Sequence, residues 1–274
     1  GFPPSVLATL MLNDRLIPYI HDVFLLTRQH ELNRKARLYM RPSFAFAVKR
    51  LKRFFVNSEK TKQDLQQFCR PDAQIIMLRP QVRNVFELQH DEHRYSRVEP
   101  ARLKLVMLGT VEPRKNYAAA VAILNELRAR LGQEVELHVV GRLGWGPDAN
   151  LLQNTPGVVC YGYLSADEIR ALISSATFYL STSHDEGLGL PLLELQYSGI
   201  AVIAARIPVF SEVLGQSGLL IDTGDAVKAA DQILAFCRDS ALIQQQAELA
   251  RLNIQRWNAL ALADKANAAA LITG

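Results

Sequence analysis

Apolar runs of strand length alternate with helical patterns along most of the chain. "LKLVML" (Leu103–Leu108) predicts a buried strand, and "NYAAAVAILNELRARL" after it predicts a helix with Asn116 at its N-cap. "VELHVV" (Val135–Val140), "VVCY" (Val158–Tyr161), "TFYLST" (Thr177–Thr182), "IAVIAA" (Ile200–Ala205) and "GLLI" (Gly218–Ile221) continue the strand series. Before the fourth strand, Ser165 and Glu168 form a Ser-x-x-Glu capping box ahead of Ile169, Leu172 and Ile173. Such β-α alternation predicts an α/β fold, a mostly parallel sheet with helices on both faces. Ligands of these sheets bind beyond the carboxyl ends of the strands.

The first hundred residues repeat this grammar less completely. "LIPYIHD" (Leu16–Asp22) reads as a strand ending in His-Asp, "RFFVNSEKTKQDL" (Arg53–Leu65) as a strand entering a helix near Ser58, and "QIIML" (Gln74–Leu78) as a third strand. "VRNVFELQHDEHRYSRVEPAR" is polar and without period, and reads as an interdomain linker. Three strands are thin for an independent doubly wound domain, which usually needs about 100–150 residues.

Composition changes this picture little. With 274 residues, 49% apolar and 21% charged, the chain is an ordinary globular protein of one or two domains. Cys69, Cys160 and Cys237 are widely spaced and form no CxxC pair, which argues against a disulfide framework or zinc site and for a reducing, cytoplasmic compartment. No apolar run approaches the roughly 18 residues of a bilayer span. The opening "GFPPSVLATLML" has no leading Met, basic n-region or small-residue cleavage site, so it is not read as a signal peptide but as a chain entered in mid-fold.

Charge is uneven. Residues 1–100 carry 17 Lys and Arg against 10 Asp and Glu, a net +7, while residues 101–274 carry 14 against 17, a net −3. The excess lies in "NRKARLYMR" and "VKRLKRFF", between Asn33 and Phe55. This is a solvated helix face or a surface, from Arg34 to Arg53, that meets anionic lipid or an anionic acceptor. Nucleic acid is not expected as a partner, because no binding motif accompanies the patch.

Three stretches carry candidate chemistry. In "HDEGLGLPLLE", Glu186 and Glu194 are separated by seven residues, after one strand and around the start of a helix at Pro191. Gly187 and Gly189 let the backbone turn and approach a ligand, and the helix start favours an anion; equally, the acids decorate a helix terminus. In "GTVEPRKN" (Gly109–Asn116), Arg114 and Lys115 stand where they can neutralise phosphate, or are merely solvated. His21-Asp22 ends an N-terminal strand, and the histidine is either an acid/base or donor group or a structural one.

Taken together, "YIHD", "FFVNSEKTKQDL", "VMLGTVEPRKN", "LHVVGRLGWG", the run from Val158 to Ala205, "SEVLGQSGLLID" and "RWNALA" resemble glycosyltransferase family 4, the retaining GT-B enzymes, over about residues 17–265. The nearest group is bacterial surface-polysaccharide and mannosyltransferase-like. The resemblance implies a GT-B fold: a Rossmann-like parallel-sheet C-terminal domain plus a partial Rossmann-like N-terminal domain. Residues 1–97 would be the acceptor-side domain and linker, residues 98–252 the nucleotide-sugar domain, and residues 253–274 a helix packing back towards the N-terminal domain.

The resemblance also implies roles. Lys115, with Arg114 and Gly109, would hold the donor diphosphate, and Glu194 the ribose hydroxyls. Glu186 and the backbone of Gly187, Leu188 and Gly189 would hold the sugar and phosphates. Gly141, Arg142, Tyr163 and Leu164 would border the nucleobase, and His21 would approach the sugar. The implied reaction is sugar transfer with retention, from a GDP-mannose-like donor to a glycan or lipid-linked acceptor, with no metal, in the cytoplasm or peripherally at the inner membrane. Thr110 stands where such proteins often carry Arg, Leu188 replaces an aromatic, Ala201 replaces a common Pro, and "LRPQVRN" replaces a Gly-containing turn. The family's glycine-rich phosphate loop is not found, so part of the N-terminal domain is expected to be absent and the fragment inactive alone. A sugar-nucleotide epimerase or hydrolase, and a non-catalytic glycosyltransferase-like subunit, are the competing readings.

Overall fold

The computed structural model describes residues 3–12, 15–28, 36–95, 102–144 and 146–273. Its contacts divide the chain into two compact units. One comprises Gly1–Gln81, Glu186–Leu188 and Asn258–Gly274, the other Val82–Asp185 and Gly189–Trp257.

The first unit contains α1 (Val6–Leu12), β1 (Tyr19–Ile20), α2 (Phe24–Thr27), α3 (Arg41–Arg50), β2 (Arg53–Val56), α4 (Glu59–Gln66) and β3 (Gln74–Met77). The three strands form a parallel sheet in the order β1-β2-β3, over a core that includes Val48, Leu51, Phe54, Val56 and Leu65. The strand expected over Leu16–Asp22 pairs only at Tyr19 and Ile20. Pro18 has no N–H to donate, and Asp22 Oδ1 accepts from Phe24 N at 3.0 Å, turning the chain into α2. Ser58 is the N-cap of α4 and accepts from Thr61 N. Of the basic run, Arg37, Lys49, Arg50 and Lys52 are exposed, while Arg34 and Lys35 lie outside the described residues.

The second unit is a six-stranded parallel sheet. It contains β4 (Lys104–Leu108), α5 (Tyr117–Leu131), β5 (Glu136–Val140), α6 (Asp148–Gln153), β6 (Val158–Gly162), α7 (Ala166–Ser175), β7 (Phe178–Ser181), α8 (Leu190–Leu195), β8 (Ala201–Ala205), α9 (Pro208–Leu214), β9 (Gly218–Ile221), α10 (Ala226–Arg238) and, up to Trp257, α11 (Ser240–Thr273), whose remainder belongs to the first unit. Strand order is β6-β5-β4-β7-β8-β9, so the direction of winding reverses between β4 and β7. β7 and β8 are buried along their whole length, as their continuous apolar runs require. The capping box of Ser165 and Glu168 forms as expected.

The polar stretch after Gln81 is not loose. Val82, Leu88 and Tyr95 are buried, and Asn84 both accepts from Leu88 N at 2.8 Å and donates to Leu88 O at 2.9 Å. Tyr197 donates its hydroxyl to Val82 O, and the Arg94 guanidinium donates to the carbonyls of Ile173 and Ala176. Side chains satisfy this backbone one group at a time, which leaves no period to read. Residues 96–101, the rest of that linker, lie outside the described residues. α11 begins at Ser240, well before residue 253. Trp257 is fully buried in it, and Asp264 pairs with Arg79 at 2.8 Å. Among the described residues, no helix is long and apolar enough to cross a membrane.

Candidate functional site

In the second unit the carboxyl ends of β4 and β5 meet at two glycines. A Cβ on Gly141 would lie 2.1 Å from Gly109 O, so only glycine lets these strand ends approach so closely. Gly109 O also accepts the hydroxyl of Tyr117 at 3.0 Å. The Lys115 side chain folds over Gly109, its Nζ 3.4 Å from where a Cβ would stand. An ammonium is thus laid against bare backbone at the end of the strand beside the winding reversal.

The start of α5 is already occupied. Asn116, in the left-handed region at φ 53°, accepts from Ala119 N, and the buried Asp148 accepts from Tyr117 N at 3.1 Å. Two of the helix's orphan N–H groups are therefore taken by the protein itself.

The 112–116 loop is tied to the segment that follows β7. Arg114 O accepts from His184 N at 2.9 Å, and Arg114 Nη1 donates to Asp185 O at 3.0 Å. Arg114 Nη2 pairs with Glu112 Oε1 at 2.5 Å. The fully buried Thr182 places its hydroxyl 3.1 Å from Lys115 O and 2.9 Å from Asn116 O.

Gly189 (φ 89°) is the N-cap of α8, which starts at Leu190 with Pro191 in its first turn. Glu194 is half-buried on α8, and burial raises its carboxyl pKa above the usual glutamate value. Tyr163 is 78% exposed and follows β6, Leu164 is half-buried, and Arg142 is exposed after β5.

In the first unit, Glu186, Gly187 and Leu188 are buried. A Cβ on Gly187 would meet His21 O at 2.1 Å, and Gly187 O lies 2.7 Å from Ser58 Oγ and 3.3 Å from Thr61 Oγ1. Thr61 Oγ1 is also 3.1 Å from His21 O. The His21 ring stands edge-on to Tyr19, centroids 4.7 Å apart. Partial burial lowers its pKa below the ordinary histidine value, with Asp22 opposing. His21 and Asp22 line a cavity of about 410 Å³ whose other walls include Leu16, Tyr19, Leu25 and Phe44.

The motifs "YIHD" and "HDEGLG" thus supply His21 and Gly187 to one hydrogen-bonded cluster, and "EPRKN" supplies the ammonium over Gly109. Of the residues that fix these groups, Ser58 and Thr61 lie within "FFVNSEKTKQDL" and Thr182 within the run from Val158 to Ala205, though no role attaches to them there, while Tyr117 and Asp148 lie outside the motifs.

Two Rossmann-like parallel-sheet units give this chain the GT-B fold. The match with solved structures has the same content. Sucrose-phosphate synthase from Thermosynechococcus elongatus aligns with TM-score 0.72 at 17% identity, covering 93% of this chain and 67% of that one. WaaG, a glycosyltransferase involved in lipopolysaccharide biosynthesis, aligns with TM-score 0.68 at 18% identity, covering 100% and 77%.

The chain belongs to the family of glycosyl transferases group 1, whose model matches residues 102–239. Among sequence relatives, the serotype-specific mannosyltransferase WbdA of Escherichia coli is 30% identical over 145 residues, 50% of this chain and 18% of that protein. The O-antigen chain mannosyltransferase B of Escherichia coli is 29% identical over 139 residues, 49% and 36% respectively. The match spans only part of the length of these relatives.

Proposed function

We propose that this chain is the donor-binding part of a retaining glycosyltransferase. It moves a sugar from a nucleoside diphosphate donor, GDP-mannose or a close chemical relative, to a glycan or lipid-linked acceptor in surface polysaccharide synthesis. The observation that carries this reading is Lys115, an ammonium held over the bare backbone of Gly109 beside the winding reversal.

In this reading Lys115 takes the negative charge that develops on the leaving diphosphate, which is electrostatic stabilisation of the transition state. Glu194 accepts from the ribose hydroxyls. Gly187, Leu188 and Gly189 offer backbone N–H groups to the phosphates, Glu186 and His21 address the sugar, and Gly141, Tyr163 and Leu164 border the base. The bond from the anomeric carbon to the phosphate oxygen breaks as the acceptor oxygen bonds to the same face. The acceptor proton passes to the departing phosphate oxygen, so no enzymic nucleophile is assigned. The mannosyltransferase names of the relatives support the choice of sugar class.

Calorimetry with GDP, UDP and their sugar conjugates tests this reading. One nucleoside diphosphate should bind, and Lys115→Ala should weaken it about tenfold, the value of one charge-assisted hydrogen bond. Absence of binding by the unaltered chain would favour a non-catalytic subunit, a reading that Thr110 in place of a cation also supports. The exposed Arg37, Lys49, Arg50 and Lys52, with Leu38 and Tyr39 at 66% and 70% exposure, support peripheral contact with anionic membrane. Vesicle co-sedimentation that does not respond to anionic lipid would remove that part.

A further inference from the structure

Arg114 sits next to Lys115, and adjacency suggests that both meet phosphate. Their surroundings are different. The Lys115 ammonium lies over a strand end, whereas the Arg114 guanidinium is engaged at two points, on the Glu112 carboxylate and on Asp185 O. Both side chains of the Glu112–Arg114 pair are mostly buried, at 18% and 19% exposure. The carboxylate paired with this guanidinium offsets the positive field that a second anion would meet there.

The same residue also holds its neighbours through the main chain, since Arg114 O accepts the His184 N–H. One residue therefore crosses the seam between the 112–116 loop and the 184–185 segment twice, once by backbone and once by side chain. Thr182 adds a third tie, its hydroxyl reaching the carbonyls of Lys115 and Asn116. Pro113 and the short 3₁₀ turn Pro113–Lys115 hold Glu112 and Arg114 at the separation the pair needs.

We propose that Arg114 is a positioning residue: with Glu112 and Thr182 it braces the loop that aims Lys115, and it does not itself contact the donor. The fork geometry explains the residue type. Arginine gives one N–H to the carboxylate and another, from a different nitrogen, to the carbonyl, whereas a lysine ammonium would have to serve both from a single nitrogen on a shorter stem. The Glu-Pro-Arg-Lys run is then a brace followed by a charge.

The binding arm of the test rests on the donor reading above; the exchange arm does not. Hydrogen exchange at the His184 amide reports the seam directly. Glu112→Gln, Arg114→Gln, Arg114→Lys and Thr182→Val should each speed that exchange by about fivefold or more, the effect of losing one hydrogen bond. Thr182→Ser should restore the slow rate. The double variant Glu112→Gln/Arg114→Gln should exchange no faster than Arg114→Gln, because the two residues act as one unit.

Titration with GDP and UDP separates the alternatives again. A braced loop predicts that Glu112→Gln weakens nucleotide binding as Arg114→Gln does. A direct phosphate contact predicts the opposite sign for Glu112→Gln, since removing a carboxylate frees the guanidinium for the anion. Wild-type exchange at His184 in Glu112→Gln, or tighter nucleotide binding by it, overturns the proposal. Should the unaltered chain bind neither nucleotide, the donor reading fails while the His184 rates still decide the brace.

Discussion

The hydroxyl of Tyr117 donates to Gly109 O at 3.0 Å from a side chain that is fully buried. That single bond joins the first residue of α5 to the end of β4, where Lys115 lies. Tyr117→Phe keeps the ring and removes the donor. It should lower unfolding stability by about 1 kcal/mol, read by urea denaturation, and nucleotide affinity should fall with it.

Gly141 and Gly132 separate two costs of replacing glycine. Both have φ in the left-handed region, 148° and 103°, but a Cβ on Gly132 meets nothing within 4 Å while one on Gly141 meets Gly109 O at 2.1 Å. Gly132→Ala should destabilise by about 1 kcal/mol from backbone strain alone. Gly141→Ala must also move a strand end, so about 2 kcal/mol more is expected. Equal melting temperatures for the two variants would contradict this geometry.

Burial raises the Glu194 carboxyl pKa, which gives stability a pH dependence of known sign. The folded state holds this proton more tightly than the unfolded one. The contribution is therefore complete below the unfolded value near 4.5 and is lost as pH rises through the elevated folded value. Glu194→Gln abolishes that loss. Denaturation at about pH 4 and about pH 7 should show the glutamine variant gaining on the unaltered chain at the higher pH.

Arg79 and Asp264 are an ion pair with side chains 11% and 12% exposed, and Asp264 Oδ2 also accepts from Arg79 N at 3.1 Å. Removing the carboxylate takes the 2.8 Å partner from a mostly buried guanidinium and leaves Glu59 at the longer distance of 3.7 Å. Asp264→Ala should cost about 3 kcal/mol. Thermal unfolding should show it, and replacing both partners with apolar residues should recover much of the loss.

The second unit was readable because its signals are local. A capping box, an Asn before a helix, and apolar runs of five or six residues each announce an element without help from the rest of the chain. The order of those elements then allowed a family resemblance that the matching family model bears out. The first unit was harder, since Pro18 and the Asp22 turn shorten the first strand below what its apolar run suggests. The stretch from Val82 to Tyr95 looked like linker because isolated side-chain bonds organise it. Among the proposed residues, Lys115, Glu186 and Glu194 sit in motifs, but the partners that fix Lys115 and the start of α5 lie far along the chain. Thr182 reaches Lys115 O across 67 positions, and Asp148 reaches Tyr117 N across 31. No periodicity encodes such pairs.

Asp148 has a wider consequence. In many nucleotide-binding sheets the helix after the first strand serves as an anion cradle, with free N–H groups and a positive dipole end facing the phosphates. In the second unit that socket is plugged by a carboxylate from α6, bonded to Tyr117 N. A phosphate approaching α5 would meet negative charge where other folds present a vacancy. Attraction then falls to a point charge on a long stem, Lys115. Grip of that kind is graded by ionic strength, so on the proposed reading the affinity for a nucleotide should fall as salt rises.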